Sequence, residues 1–199
     1  MIKIIISIIV GVIIGIFAPN DFISTNIDNF INIGLCLLLF FIGVDIGKNG
    51  DIFQQMKSLS KKLLLLPVVI TIASLLGGIV SALVLGISIG EGLVLSAGMG
   101  WYSYSSVLLS KTDVSLGSIA FMANVFRELL AILIIPIVAK KIGSLEAIST
   151  AGAPSMDSAL PVINKYTSSE NSIIAFYSGF IITLVIPILL PSIILIFKL

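Results

Sequence analysis

Histidine is absent from the 199 residues and cysteine occurs once, at Cys36. The first absence removes the commonest zinc ligand and the usual proton shuttle of neutral pH. The second excludes a disulfide framework and a cysteine metal site. Charge is scarce too: Asp, Glu, Lys and Arg make up 11% of the chain, with a net charge of +1, against about 25% charged residues in a soluble domain. No basic face exists to neutralise phosphates, so nucleic acid is excluded as a partner. No G-x-x-x-x-G-K-[ST] run occurs, which removes the usual cradle for a nucleotide phosphate. What remains is apolar. With 58% hydrophobic residues and a mean hydropathy of +1.22, the sequence predicts an all-α polytopic protein solvated by the lipid bilayer. It calls for no metal and no cofactor, and proton chemistry at membrane depth falls to carboxylates.

Residues 2–18 form a first apolar span after Lys3; they run past the about 7 to 15 apolar residues of a signal peptide. A polar loop, 19–28, holds two aspartates and no lysine, and a second span covers 29–47. The loop 48–62 carries four lysines and reads as cytoplasmic. A third span, 63–86, has Pro67 in its first turn, where a missing amide hydrogen is harmless, and a small-residue face of Gly77, Gly78 and Ser81. Residues 91–113 then turn from apolar to small and hydroxylated around Gly98 and Gly100, and 146–170 do the same around Gly152 and Pro154. Irregular backbone at membrane depth is tolerated only where protein buries it or water lines it. Between them, 117–139 is a fourth span; 172–197, with Pro187 and Pro191, is a fifth and is expected to kink.

The fourth span carries Asn124, Arg127 and Glu128 near its middle. At about 1.5 Å per residue it is roughly 34 Å long, so both charges fall near the bilayer midplane. Each costs roughly 2.5 to 3.5 kcal/mol there, which marks residues kept for pairing or for a hydrated path. The two odd segments also align: Ala97-Gly98 with Ala151-Gly152, then Ala120-Phe121 with Ala175-Phe176 and Pro136 with Pro191. The chain therefore divides into N-terminal helices, 1–88, serving as scaffold or oligomerisation surface, and a transport core, 89–199, built from repeats 91–139 and 146–197. If each broken segment re-enters, the repeat is inverted; if each crosses, it is parallel. Two hairpins meeting near the midplane is the arrangement of secondary transporters and is the one expected here. It gives five full crossings, with the N-terminus inside and the C-terminus outside.

Three motifs, Ala97-Gly-Met-Gly-Trp-Tyr-Ser103, Asn124-Val-Phe-Arg-Glu128 and Gly152-Ala-Pro-Ser-Met-Asp157, together resemble the lysine exporter (LysO) family, and Phe41-Ile-Gly-Val-Asp-Ile-Gly47 resembles its upstream motif. The resemblance implies export of L-lysine and its toxic thio-analogue from the bacterial cytoplasm, through the cell membrane. Longer family members carry further N-terminal spans, so the short form implies a small companion membrane subunit or a homo-oligomer. Another cationic amino acid is an alternative substrate.

Glu128 and Asp157 are the expected substrate and proton site, because a carboxylate facing a hydrated cavity supplies what an ammonium loses on leaving water. Desolvation raises a carboxylate pKa, which suits exchange of a proton for the substrate. Asp157 has a helix N-cap as its structural alternative. Arg127 is expected to hold the substrate carboxylate or to clamp a carbonyl of a broken helix. Asn124, one turn before Glu128, is placed to orient that carboxylate. Trp101, Tyr102, Ser103 and Ser105 line the opposing hairpin, where aromatic faces attract ammonium groups; Ser155 and Met156 accompany Asp157. Asp45 is placed on an entry path. The coupling ion is expected to be H⁺, with Na⁺ as the alternative. A dyad of Asp45 and Asp157 would suit an intramembrane aspartyl protease. That chemistry leaves Asn124, Arg127 and Glu128 without a role, so no enzyme is expected.

Overall fold

A computed structural model describes residues 61–199 throughout and, before them, Val10, Ile13, Ile14, Ile16, Asn26, Asn29, Phe30, Ile33, Gly34, Cys36, Leu37, Phe40, Phe41 and Val44, all helical. The chain separates into two units, Met1–Lys48 and Asn49–Leu199. In the first, the helical positions fall in or beside the two apolar runs expected there. Asp45 and the lysine loop up to Ser60 lie outside the described residues.

In the second unit, every described element is helical. A turn at Lys61–Leu64 leads into α1, Leu66–Leu85, with Pro67 in its first turn. It stops at Gly86, whose φ of 69° suits a residue without Cβ and whose N–H bonds Ala82. Ser88 then starts α2, Ile89–Ala97, by a reciprocal cap: its hydroxyl accepts the Glu91 N–H at 3.1 Å while Glu91 accepts the Ser88 N–H at 2.8 Å. Hydrogen bonds from the Ser88 side chain and backbone hold the Glu91 carboxyl below the ordinary carboxylate range. After a break come α3, Tyr102–Leu109, and α4, Val114–Lys141, which begins where Asp113 accepts the N–H groups of Ser115 and Leu116. The pattern then recurs: α5, Ser144–Ala151, a 3-10 turn at Ala153–Met156, α6, Leu160–Tyr166, and α7, Ser169–Phe197, capped by Ser168. Short helix, break, short helix and long helix thus occur twice.

Three of these helices, at Leu66–Leu85, Val114–Lys141 and Glu170–Phe197, are long and apolar enough to cross a membrane, matching the last three expected spans. Their directions follow from what touches at each end. Leu63 and Leu66 before and at the start of α1 share an apolar cluster with Ile135 and Val138 near the end of α4, together with Ile148 of α5 and Ile163 of α6. Tyr177, in the first half of α7, donates to the Leu64 carbonyl at 3.1 Å. At the opposite end the last residue of α7, Phe197, packs on Gly90 in the first turn of α2. Consequently α1 and α7 run one way and α4 the other. The α2–α3 pair leaves α1 and joins α4 at one end, and the α5–α6 pair leaves α4 and joins α7 at the other. Both breaks are therefore carried into the interior.

Glycines let the first pair sit close. A Cβ on Gly78 would stand 2.5 Å from the Gly92 carbonyl oxygen and 2.7 Å from Ser96 Cβ, so α1 and α2 touch backbone to backbone.

Candidate functional site where two broken helices meet

The first break runs through Met99 and Gly100, with φ of 45° and 93°; the second turns at Gly152, with φ of 69°. In the left-handed region a β-carbon costs energy, and Met99 is held there while fully buried. The two breaks are in contact. Ala153 N–H donates to the Met99 carbonyl at 3.0 Å, and a Cβ on Gly100 would stand 2.7 Å from Cδ of Pro154.

Each break must satisfy backbone groups that its interrupted helix leaves open. At the first, α4 does it. Asn124, 2% exposed, accepts the Gly100 N–H on Oδ1 at 2.7 Å and donates through Nδ2 to the Ala120 carbonyl at 2.9 Å, with Ser105 Oγ at 3.3 Å and the Leu95 carbonyl at 3.4 Å. Its amide is spent on the break. Ser105, fully buried, donates to the Trp101 carbonyl at 2.8 Å. At the second break the chain closes on itself: Pro154 O accepts the N–H groups of Asp157 and Ala159 at 3.2 and 3.0 Å. The buried Ser155 hydroxyl lies 2.8 Å from the Gly152 carbonyl and 2.9 Å from that of Ala175. Met156 Sδ accepts from Thr183 Oγ1 at 3.8 Å.

Beside these breaks the structure gathers Tyr102, Glu128 and Asp157. Tyr102 follows the first break, Asp157 ends the second, and Glu128 lies on α4 one turn after the Asn124 that bonds Gly100. The Tyr102 ring meets Phe121 edge-on at 5.5 Å, which fixes it against α4. Glu128 is partly buried and Asp157 is exposed. Asp157 accepts the Ser158 N–H at 2.5 Å and does not cap α6, whose first turn starts after Ala159 without a side-chain cap. Trp101 stacks on the buried Tyr104, centroids 4.9 Å apart, and Ser103 is partly buried.

Arg127 points to another side of α4 than Glu128, as adjacent residues on a helix lie about 100° apart, and its Nη2 stands 3.4 Å from where a Cβ on Gly152 of the second break would be. Its Nη1 donates to Ser74 Oγ at 2.6 Å, and Ser74 in turn donates to the Ser96 carbonyl at 2.9 Å, so the cation reaches the C-terminal end of α2 through α1. A cavity of about 790 Å³ between α1 and α4 opens beside it. Sequence reasoning gave no role to Ser74, Met99, Tyr104 or Thr183. Ser74 had a signal, since it continues the face of Gly78 and Ser81 one turn earlier; Met99 had only its place between two glycines. Among the described residues no three His, Cys, Asp or Glu side chains come together to hold a metal ion.

The model of a family described as lysine exporter LysO matches residues 5–194. Over 157 residues the chain is 36% identical to "Lysine exporter LysO" of Escherichia coli (strain K12), covering 78% of this chain and 52% of that protein. The chain thus spans about half the length of that relative. A Haemophilus influenzae protein named "Putative lysine exporter" is 35% identical over 185 residues, which cover 92% of this chain and 93% of that one. No solved structure matches.

Proposed function

We propose a function from one premise: the chain belongs to the lysine exporter LysO family. It is a multi-pass protein of the bacterial cell membrane, and its family is one of transporters rather than enzymes. In our reading it exports L-lysine and its thio-analogue in exchange for protons. The placement of Tyr102 and Asp157 at two touching helix breaks, with Glu128 on the helix that braces the first of them, supports this most directly. A lysine ammonium leaving water needs oxygen acceptors, and two carboxylates with a phenol supply them. Trp101, Ser103, Ser105, Ser155 and Met156 shape the breaks around them.

The short-helix pairs act as re-entrant hairpins from opposite faces, which makes the two repeats inverted. Support comes from the ends at which each pair leaves and rejoins the long helices. The lysines Lys140, Lys141 and Lys165 then share the face at which α1 begins after Lys61 and Lys62, as the positive-inside rule favours. Outward movement of one positive charge from a negative interior costs roughly 2.3 kcal/mol per 100 mV. Exchange for one proton cancels that cost, and a carboxylate that holds either the ammonium or the proton enforces it. The test is flux in liposomes holding the purified 199-residue chain. Export should follow an imposed pH gradient, and Glu128→Gln and Asp157→Asn should each abolish it while leaving the protein folded. Flux driven by a sodium gradient alone, or wild-type flux in both variants, defeats proton exchange at this pair. A second reading is a subunit that transports only with a small companion or a second copy. In that case the chain alone carries no flux until the partner is added.

A further inference from the structure

The cavity between α1 and α4 lies on the side of α4 that Glu128 does not face, and its floor has an unusual donor and acceptor balance. Arg127 carries five N–H donors. Among the described residues it makes one hydrogen bond, to Ser74, and no ion pair. A partly buried guanidinium without a counter-charge is costly, and an anion relieves that cost. The hydroxyls of Ser96, Ser149 and Thr150, which line the same cavity, have the opposite character. Ser96 donates to the Leu93 carbonyl at 3.0 Å, Ser149 to Leu145 at 2.8 Å and Thr150 to Ala147 at 2.8 Å. Each has given its single proton to backbone and has only lone pairs left for a ligand. The floor therefore offers a forked donor for an anion and, beside it, acceptors for a cation. The walls are apolar, with Ile119, Phe126 and Leu130 among them, and the volume of about 790 Å³ suits a small organic molecule.

We propose that this cavity binds the head of an α-amino acid, its carboxylate on the Arg127 guanidinium and its α-ammonium on the Ser96, Ser149 and Thr150 oxygens. The proposal deepens the export reading, on which it rests for the identity of the amino acid. The side-chain methylenes then lie along Ile119, Phe126 and Leu130. Recognition of both head charges would distinguish an amino acid from a simple diamine.

Calorimetric titration of the purified protein tests it with four probes: L-lysine, L-lysinamide, whose carboxylate is a neutral amide, cadaverine, which lacks the carboxylate, and L-norleucine, which keeps the head without the side-chain ammonium. A hydrogen-bonded charge pair is worth roughly 1.5 to 3 kcal/mol, about tenfold or more in affinity. The wild type should bind lysine at least that much more tightly than lysinamide or cadaverine, and Arg127→Gln should erase the difference. Gly77→Leu provides a second variant: Gly77 lines the cavity, and a Cβ there meets nothing within 4 Å, so a side chain can start there without a clash, and leucine should obstruct the cavity and weaken lysine binding. Equal wild-type affinity for lysine and lysinamide overturns the proposal while leaving lysine export intact. So does wild-type lysine affinity in Gly77→Leu. Norleucine binding that depends on Arg127 without any lysine binding supports the head site and defeats the lysine reading. Binding of none of the four defeats both.

Discussion

The two breaks solve one problem by different means. At Gly98–Trp101 the open backbone is satisfied by a side chain from another helix: Asn124 of α4 takes the Gly100 N–H and ties in Ser105. At Gly152–Asp157 the chain winds into a 3-10 turn whose groups bond one another, and α7 contributes mainly by coming close. A Cβ on Gly179 would stand 2.6 Å from Met156 N and 2.7 Å from Ser155 Oγ. So the first break depends on a polar group aimed from outside, whereas the second depends on the absence of bulk. The repeat preserves the order of its elements without preserving how each gap is closed.

Substitutions can break that contrast. The largest effect is expected from Gly152→Ala, because φ of 69° with ψ of −133° is open essentially to glycine alone and the new methyl would press on the Met99 carbonyl. Little folded protein should elute on size exclusion in detergent. Next comes Asn124→Leu against Ser155→Ala. The first strands the buried Gly100 N–H, at a cost of roughly 1 to 3 kcal/mol, and should lower the melting temperature and stop export. The second removes a hydroxyl from Gly152 O, which still accepts the Ser155 N–H at 3.2 Å, and should cost less, since an under-satisfied carbonyl is easier to bear than an orphaned amide. Equal losses would show that the breaks are not closed differently. The smallest effect is expected at the helix starts. Asp113→Ala and Ser168→Ala each remove a cap worth about 1 kcal/mol. Asp113 should matter more, as it accepts two N–H groups at 2.6 and 3.0 Å where Ser168 accepts one at 3.3 Å; thermal melts of the two variants rank them.

The long apolar runs announced α1, α4 and α7 because length and hydropathy alone decide what crosses a bilayer. Both breaks were legible from Gly98, Gly100, Gly152 and Pro154, since such backbone at membrane depth needs shelter. What occupies a polar side chain was not legible. Asn124 shares a helical face with Glu128, and spacing along one helix says nothing of the Gly100 amide arriving from another. The partners of Ser74 were hidden for the same reason: Arg127 and Ser96 are brought to it only by packing. Gly179 reads as an ordinary helix glycine until the second break is seen lying against it. The sequence places these groups at membrane depth, and the tertiary fold then assigns their partners.

The bond from the Gly100 N–H to Asn124 also has a chronology. The acceptor follows the donor by 24 residues, and at roughly 5 to 20 residues per second the ribosome takes about one to five seconds to reach it. Throughout that interval α2, the break and α3 exist as a nascent segment whose amide has no Asn124 to meet. Ala153, the other group that ties this break down, is made only after α4 is complete. The α2–α3 pair therefore cannot be released into lipid as a finished piece during synthesis: it must wait in a polar or proteinaceous shelter until the middle of α4 has been made, and its insertion is in this sense the work of a later helix.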